Sequence, residues 1–82
     1  MIIRIKKLIP LPDLVLSVEF DDGKKVLYDV KEDVRDIPDY SPLQTVPGLF
    51  ENAQLDESRT CVLWNDEIDL PSDILYEYGM EN

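Results

Sequence analysis

Four carboxylates, Asp66, Glu67, Asp69 and Asp73, fall within eight residues of an 82-residue chain. Two carboxylates can share acid and base roles when their surroundings push their pKa values apart. The flanking sequence offers no such difference, no glycine-rich loop and no aromatic cleft, so catalysis is not expected. Oxygen ligands at 66, 67 and 69 would suit a hard cation such as calcium or magnesium. Yet Asp66-Glu67-Ile68-Asp69 lacks the alternating spacing, the glycine and the closing glutamate of a calcium loop, so neither a metal site nor a cofactor is expected. What remains for these acids is recognition: they can attract a basic surface.

Two other chemistries are limited by composition. The chain has no histidine, which removes the commonest general base and the commonest zinc ligand. Its one cysteine, Cys61, allows no internal disulfide and fits a reducing compartment, and its place between Thr60 and Val62 reads as a small apolar filler of a strand. The alternation Met1-Ile2-Ile3-Arg4-Ile5-Lys6-Lys7 differs from the continuous apolar region of a signal peptide, and no apolar run approaches the ~20 residues of a membrane helix. A cytoplasmic location is the expectation.

Charge decides the sign of the partner. The net charge is −10. Residues 1–30 contribute none of it, having five acidic and five basic side chains, while residues 31–82 hold thirteen acids against Lys31, Arg35 and Arg59. Nucleic acid and anionic membranes would be repelled and a basic protein attracted. Arg4, Lys6, Lys24 and Lys25 make at most a small basic stripe, too little to neutralise a phosphate backbone. An alternative use of the acids is imitation of that backbone, as in an inhibitor that blocks a nucleic-acid-binding enzyme, for example a phage anti-defence protein.

The elements that must position these groups form one α+β domain over residues 1–82, a small antiparallel sheet with short helices. Ile3 and Ile5 alternate with Arg4 and Lys6 as in a half-buried strand, until Lys7 breaks the pattern and Pro10 and Pro12 stop it. Leu14, Leu16, Val18 and Phe20 make one apolar face of the clearest strand. Asp21-Asp22-Gly23-Lys24 is a hairpin turn, and Val26, Tyr28 and Val30 face inward on the return. Residues 31–35 suit one helical turn. Ser41 reads as a cap before Pro42, opening a short helix over residues 42–46, and residues 47–52 suit a further turn. Leu43, Val46, Leu49 and Phe50 would seat this pair on the sheet. Residues 53–56 and 60–64 form a second hairpin around Glu57-Ser58-Arg59, with Trp64 packed at its end. Pro71 opens a last helix to Tyr78 that Gly79 closes, with Leu70, Ile74, Leu75 and Tyr78 along its inner side.

Phe20-Asp21-Asp22-Gly23, Tyr28-Asp29-Val30, Leu43, Leu49-Phe50, Val62-Leu63-Trp64, Asp69-Leu70 and Leu75-Tyr76-Glu77 follow one another in a distinctive order. Over nearly the whole chain that order resembles a bacterial domain of unknown function, family 2442. The resemblance implies antiparallel strands covered by short helices. Members are often encoded beside small toxin-like proteins or joined to a helix-turn-helix domain, so it also implies an antitoxin-like, partner-binding module without catalytic residues. The chain carries no helix-turn-helix extension, so direct DNA reading is not implied. It departs from the family after Trp64, where Glu67 stands in place of a turn glycine. Either Asn65 and Asp66 take left-handed angles or the turn is wider.

The expectation for function is therefore a non-enzymatic module that engages a basic protein partner. The acids Asp66, Glu67, Asp69 and Asp73 would steer the encounter. Ile37 and Tyr40, in the proline-flanked segment Asp36-Ile37-Pro38-Asp39-Tyr40, would supply the buried anchors, because tyrosine is enriched at interface centres.

Overall fold

The computed structural model of the chain describes residues 2–65 and 68–81. Strands β1 (Ile5–Leu11), β2 (Val15–Phe20) and β3 (Lys25–Asp29) form an antiparallel meander. The alternation in β2 has its expected result: Leu16, Val18 and Phe20 are buried, opposite Val26 and Tyr28 of β3 and Ile5 of β1. The break at Lys7 is a β-bulge, since Ile5 pairs with Phe20 but Lys7 pairs with Glu19, leaving Lys6 as the extra residue. Pro10 does not stop β1, as the sequence led us to expect. It pairs with Leu16 in an edge strand, where the missing amide donor can face away from the ladder.

The two turns of the meander differ in their chemistry. Between β1 and β2 the chain reverses through Asp13 and Leu14, both with φ near +60°. Between β2 and β3 the Phe20 carbonyl accepts the Gly23 amide at 2.9 Å, and Phe20 N–H donates to the Lys24 carbonyl at 2.9 Å. Gly23 takes φ +95° and the Asp22 carboxylate caps the Lys24 amide, a three-residue hairpin loop that ends in a glycine bulge. A Cβ built on Gly23 meets nothing within 4 Å. Gly23→Val should therefore cost only backbone strain, about 1–2 kcal/mol, read as a lowered urea midpoint. An unchanged midpoint would remove the need for glycine at this turn.

Helix α1 (Lys31–Asp36), a 3₁₀ turn (Pro38–Tyr40), helix α2 (Pro42–Thr45) and a second 3₁₀ turn (Phe50–Asn52) carry the chain across the sheet. Leu43 and Phe50 are buried, whereas Val46 is exposed. Ser41 is itself helical (φ −56°, ψ −32°) and makes no side-chain cap, so the expected capping is corrected: the preceding 3₁₀ turn runs directly into α2. A second sheet, β4 (Gln54–Leu55), β5 (Cys61–Leu63) and β6 (Asp69–Pro71), follows as the expected hairpin plus a returning strand. In its bend Arg59 has φ +61° and the Asp56 carboxylate accepts the Thr60 amide. After Trp64, the Asn65 side chain accepts the Ile68 amide at 2.9 Å and Trp64 N–H donates to the Ile68 carbonyl. Among the described residues positive φ occurs at Asp13, Leu14, Gly23, Gly48 and Arg59, so Asn65 does not supply the left-handed angle.

Helix α3 (Ser72–Tyr78) starts one residue after Pro71, which belongs to β6. Leu75 is fully buried, but Tyr78 is exposed rather than inward-facing. Gly79 does not close α3 with a left-handed angle: its φ is −67° and ψ 149°, so the chain turns straight into an extended strand, β7 (Met80–Glu81). That strand, which the sequence pattern does not signal, pairs antiparallel with β3 at Val26 and Leu27. The first sheet is thus ordered β1-β2-β3-β7.

Both sheets enclose one core, in which Leu16, Val18, Phe20 and Val26 join Val62, Trp64, Ile68 and Leu75. Polar contacts clasp the sheets at one edge. The Arg59 guanidinium binds the Asp21 carboxylate through two bonds (2.8 and 2.9 Å) and the Ile5 carbonyl (3.1 Å), while Ile5 N–H donates to the Arg59 carbonyl. The buried Ser72 hydroxyl donates to the Ile3 carbonyl at 2.6 Å.

Candidate partner-binding surface

Most cations of the protein face its own acids. Arg59 is engaged by Asp21, which lowers the Asp21 pKa, first through the charge-assisted hydrogen bond. Lys24 donates to the Tyr76 carbonyl at 3.0 Å, lies 4.1 Å from the centre of the Tyr76 ring and 3.7 Å from Glu81. Tyr76 in turn donates to Asp22 at 2.6 Å, the main reason the Asp22 carboxyl sits below its ordinary value. Lys6 lies 3.9 Å from Glu19, Lys31 3.2 Å from Asp29, and Arg35 3.0 Å from Asp36. Two of the four residues of the expected basic stripe, Lys6 and Lys24, thus lie beside carboxylates, and over the whole chain the acids outnumber the cations and remain in surplus.

The residues named from the sequence are only partly brought together. Tyr40 is half-buried, and its hydroxyl donates to the Asp69 carbonyl at 2.5 Å, joining the 3₁₀ turn to the second sheet. Burial raises the Tyr40 pKa, with the Asp33 and Asp69 charges adding to it. Ile37, the residue immediately before that turn, is exposed, at 41%. Asp69 is exposed next to Tyr40 in this contact. Asp73 is elsewhere, in the first turn of α3, where its carboxylate accepts the Ile74 amide. It borders a depression shared with Ile2, Arg4, Ser58 and Thr60. Asp66 and Glu67 lie outside the described residues. Among the described residues no three Asp, Glu or Cys side chains are grouped as metal ligands would be. Cys61 is half-buried and burial raises its thiol pKa, which disfavours the reactive thiolate.

A second surface has no counterpart in the sequence reading. Between the β3 edge, α1, α3 and β7 lies an open depression of about 660 Å³. Val15, Leu27, Ile74, Tyr78 and Met80 supply its apolar lining, and Asp29, Glu32 and Asp33 its charge. Tyr28 forms part of the wall, and its hydroxyl donates to Asp33 at 2.6 Å. Burial and this bond to a carboxylate push the Tyr28 phenol well above its ordinary range, so it remains a neutral donor. The signal that could have located the depression is the pair Tyr78 and Met80, but only β7 pairing brings them beside Asp29 and Glu32.

Two packed antiparallel sheets with short covering helices, a surplus of surface carboxylate and shallow depressions define a small α+β domain. The chain belongs to the family described as protein of unknown function (DUF2442), whose model matches residues 5–81. No curated protein matches the chain significantly, and neither does any solved structure. No helix among the described residues is long and apolar enough to cross a membrane.

Proposed function

We propose that this chain is a non-enzymatic, acidic protein-binding module that engages a basic protein partner, in the manner of an antitoxin of the bacterial cytoplasm. The supporting observation is the carboxylate surplus: Lys6, Lys24, Lys31, Arg35 and Arg59 each lie within 4 Å of a carboxylate, and many acids are left over for a partner. Such a field raises the encounter rate with a cationic surface and disfavours anionic ones.

The test is kinetic. A partner is recovered by affinity capture and mass spectrometry, and its association is followed by stopped flow. Neutralising Asp66, Glu67, Asp69 and Asp73 together to Asn or Gln should slow association by about tenfold at low salt and flatten its salt dependence, since exposed charges act mainly on the on-rate. Tyr40→Ala should instead speed dissociation, as expected of an interface anchor. Neutralising Arg4, Lys6 and Lys25 should leave association equal or faster. Loss of binding in that last variant alone would mean an acidic partner and would overturn the proposal.

A further inference from the structure

We propose that the depression between β3, α1, α3 and β7 is a docking groove for a short basic, amphipathic segment of a partner protein. The inference rests on the protein-binding reading above and assigns it a place and a chemistry.

Three observations converge there. The two most exposed large apolar side chains among the described residues, Met80 at 76% and Tyr78 at 67%, border the same depression. Half-buried Leu27 and Ile74 continue the apolar floor between them. The charged side chains that line it, Asp29, Glu32 and Asp33, are all carboxylates. Lys31 does not line the depression but pairs with Asp29 at 3.2 Å and donates to the Asp13 carbonyl, so Glu32 and Asp33 supply most of the uncompensated charge at the rim. An apolar floor with an acidic rim selects a segment whose aliphatic side chains are flanked by lysine or arginine, because burial supplies affinity and the rim supplies orientation. A nucleic acid or an acidic peptide meets the wrong charge. A second copy of this chain would bring its own three carboxylates to the same floor.

The fold explains why this surface is open. Strand β7 spans two residues and pairs with β3 only at Val26 and Leu27, so on that side Tyr28 and Asp29 have no strand partner, although β2 pairs with them on the other. Tyr28 donates its hydroxyl to Asp33 and so fixes one carboxylate at the rim.

The probe is a synthetic peptide with leucines at i and i+4 flanked by lysine and arginine, compared with the same peptide carrying serine for leucine. Titration of the ¹⁵N-labelled protein should give saturable shifts centred on Leu27, Asp29, Glu32, Ile74 and Met80, and the serine peptide should bind at least tenfold more weakly. The double variant Tyr78→Ser, Met80→Ser should weaken the leucine peptide about tenfold or more, with its melting temperature checked to show that it is folded. Glu32→Gln should lower the salt dependence of binding without removing the apolar contact. Shifts centred instead on Tyr40, Asp69 and Asp73 would overturn the groove assignment while leaving the basic-partner reading intact. Equal binding of the serine peptide would also overturn it, since charge alone would then suffice. Concentration-dependent self-association lost in the double variant would make the occupant a second copy and overturn the basic segment. Absence of saturable binding by either peptide would overturn the groove, and the basic-partner reading would then be judged by the captured partner alone.

Discussion

Trp64→Ala should bring the domain close to unfolding at room temperature. Truncating a buried aromatic ring costs about 3–5 kcal/mol, and a chain of this length has a total stability of only about 4–12 kcal/mol at the usual range per residue. Trp64 is buried at the end of β5, stacks on Phe50 with ring centres 6.0 Å apart and 24° between planes, and donates its indole N–H to the Phe50 carbonyl at 3.1 Å. Alanine removes the ring and its indole donor, leaving the Phe50 carbonyl with the Ala53 amide at 3.2 Å as its remaining donor. Trp64→Phe separates the two effects: it retains most of the packing and loses one hydrogen bond to a carbonyl that still accepts the Ala53 amide, at a cost of about 0.5–1.5 kcal/mol. Urea denaturation monitored by circular dichroism, which does not depend on the lost indole, measures both. A cost below about 1 kcal/mol for Trp64→Ala would mean that the second 3₁₀ turn and the second sheet are not held together through this ring.

Gly79→Ala should destabilise the protein by about 2–3 kcal/mol, in the upper part of the range for overpacking a filled interior. Backbone strain is not the reason, because φ at Gly79 is −67°, an angle alanine adopts freely. The reason is space. A Cβ at this position would stand 2.6 Å from the Leu75 carbonyl oxygen, 2.7 Å from Val26 Cγ2 and 2.8 Å from Val26 Cβ. Leu75 and Val26 are both buried, and the carbonyl also accepts the Gly79 amide at 3.0 Å, so neither neighbour can yield cheaply. Relief requires α3 to shift from β3, which should unpair β7. Hydrogen exchange should therefore quicken at Met80 and Glu81 more than in β2. Gly79→Ala and Gly23→Val form a contrast, since the first acts through contact and the second through backbone angle with open space around it. Equal stability of Gly79→Ala and the parent would mean that close contact of Gly79 with Val26 and Leu75 does not limit the side chain at this position.

What the sequence by itself determined was local. The period of two in residues 14–20 and 26–30 commits Leu16, Val18, Phe20, Val26 and Val30 to the interior, because a strand turns alternate side chains to one face. Asp22-Gly23 sets the hairpin, since glycine alone takes its positive φ without strain. The acidic surplus is likewise a property of composition. The burial of Trp64, and its indole bond to a carbonyl, also follow from one residue at the end of an apolar strand.

Tertiary structure decided the rest. Pro10 looks like a stop until β1 proves to be an edge strand, a matter of neighbours that no local pattern contains. Tyr78 sits at helical spacing from Leu75 and Ile74, yet α3 is short and turns into β7, which leaves Tyr78 outside. Gly79 reads as a helix terminator, but its need is set by Val26, more than fifty positions earlier in the chain. Tyr40 and Asp69 meet across 29 residues, whereas Asp73, only four residues from Asp69, faces Arg4 and Ile2 instead. The acidic groove is the clearest case. Its floor comes from β2, β3, α3 and β7 and its rim from the residues around α1, so its shape depends on β7 pairing with β3, a contact whose free energy comes from long-range packing rather than from the two residues that make it.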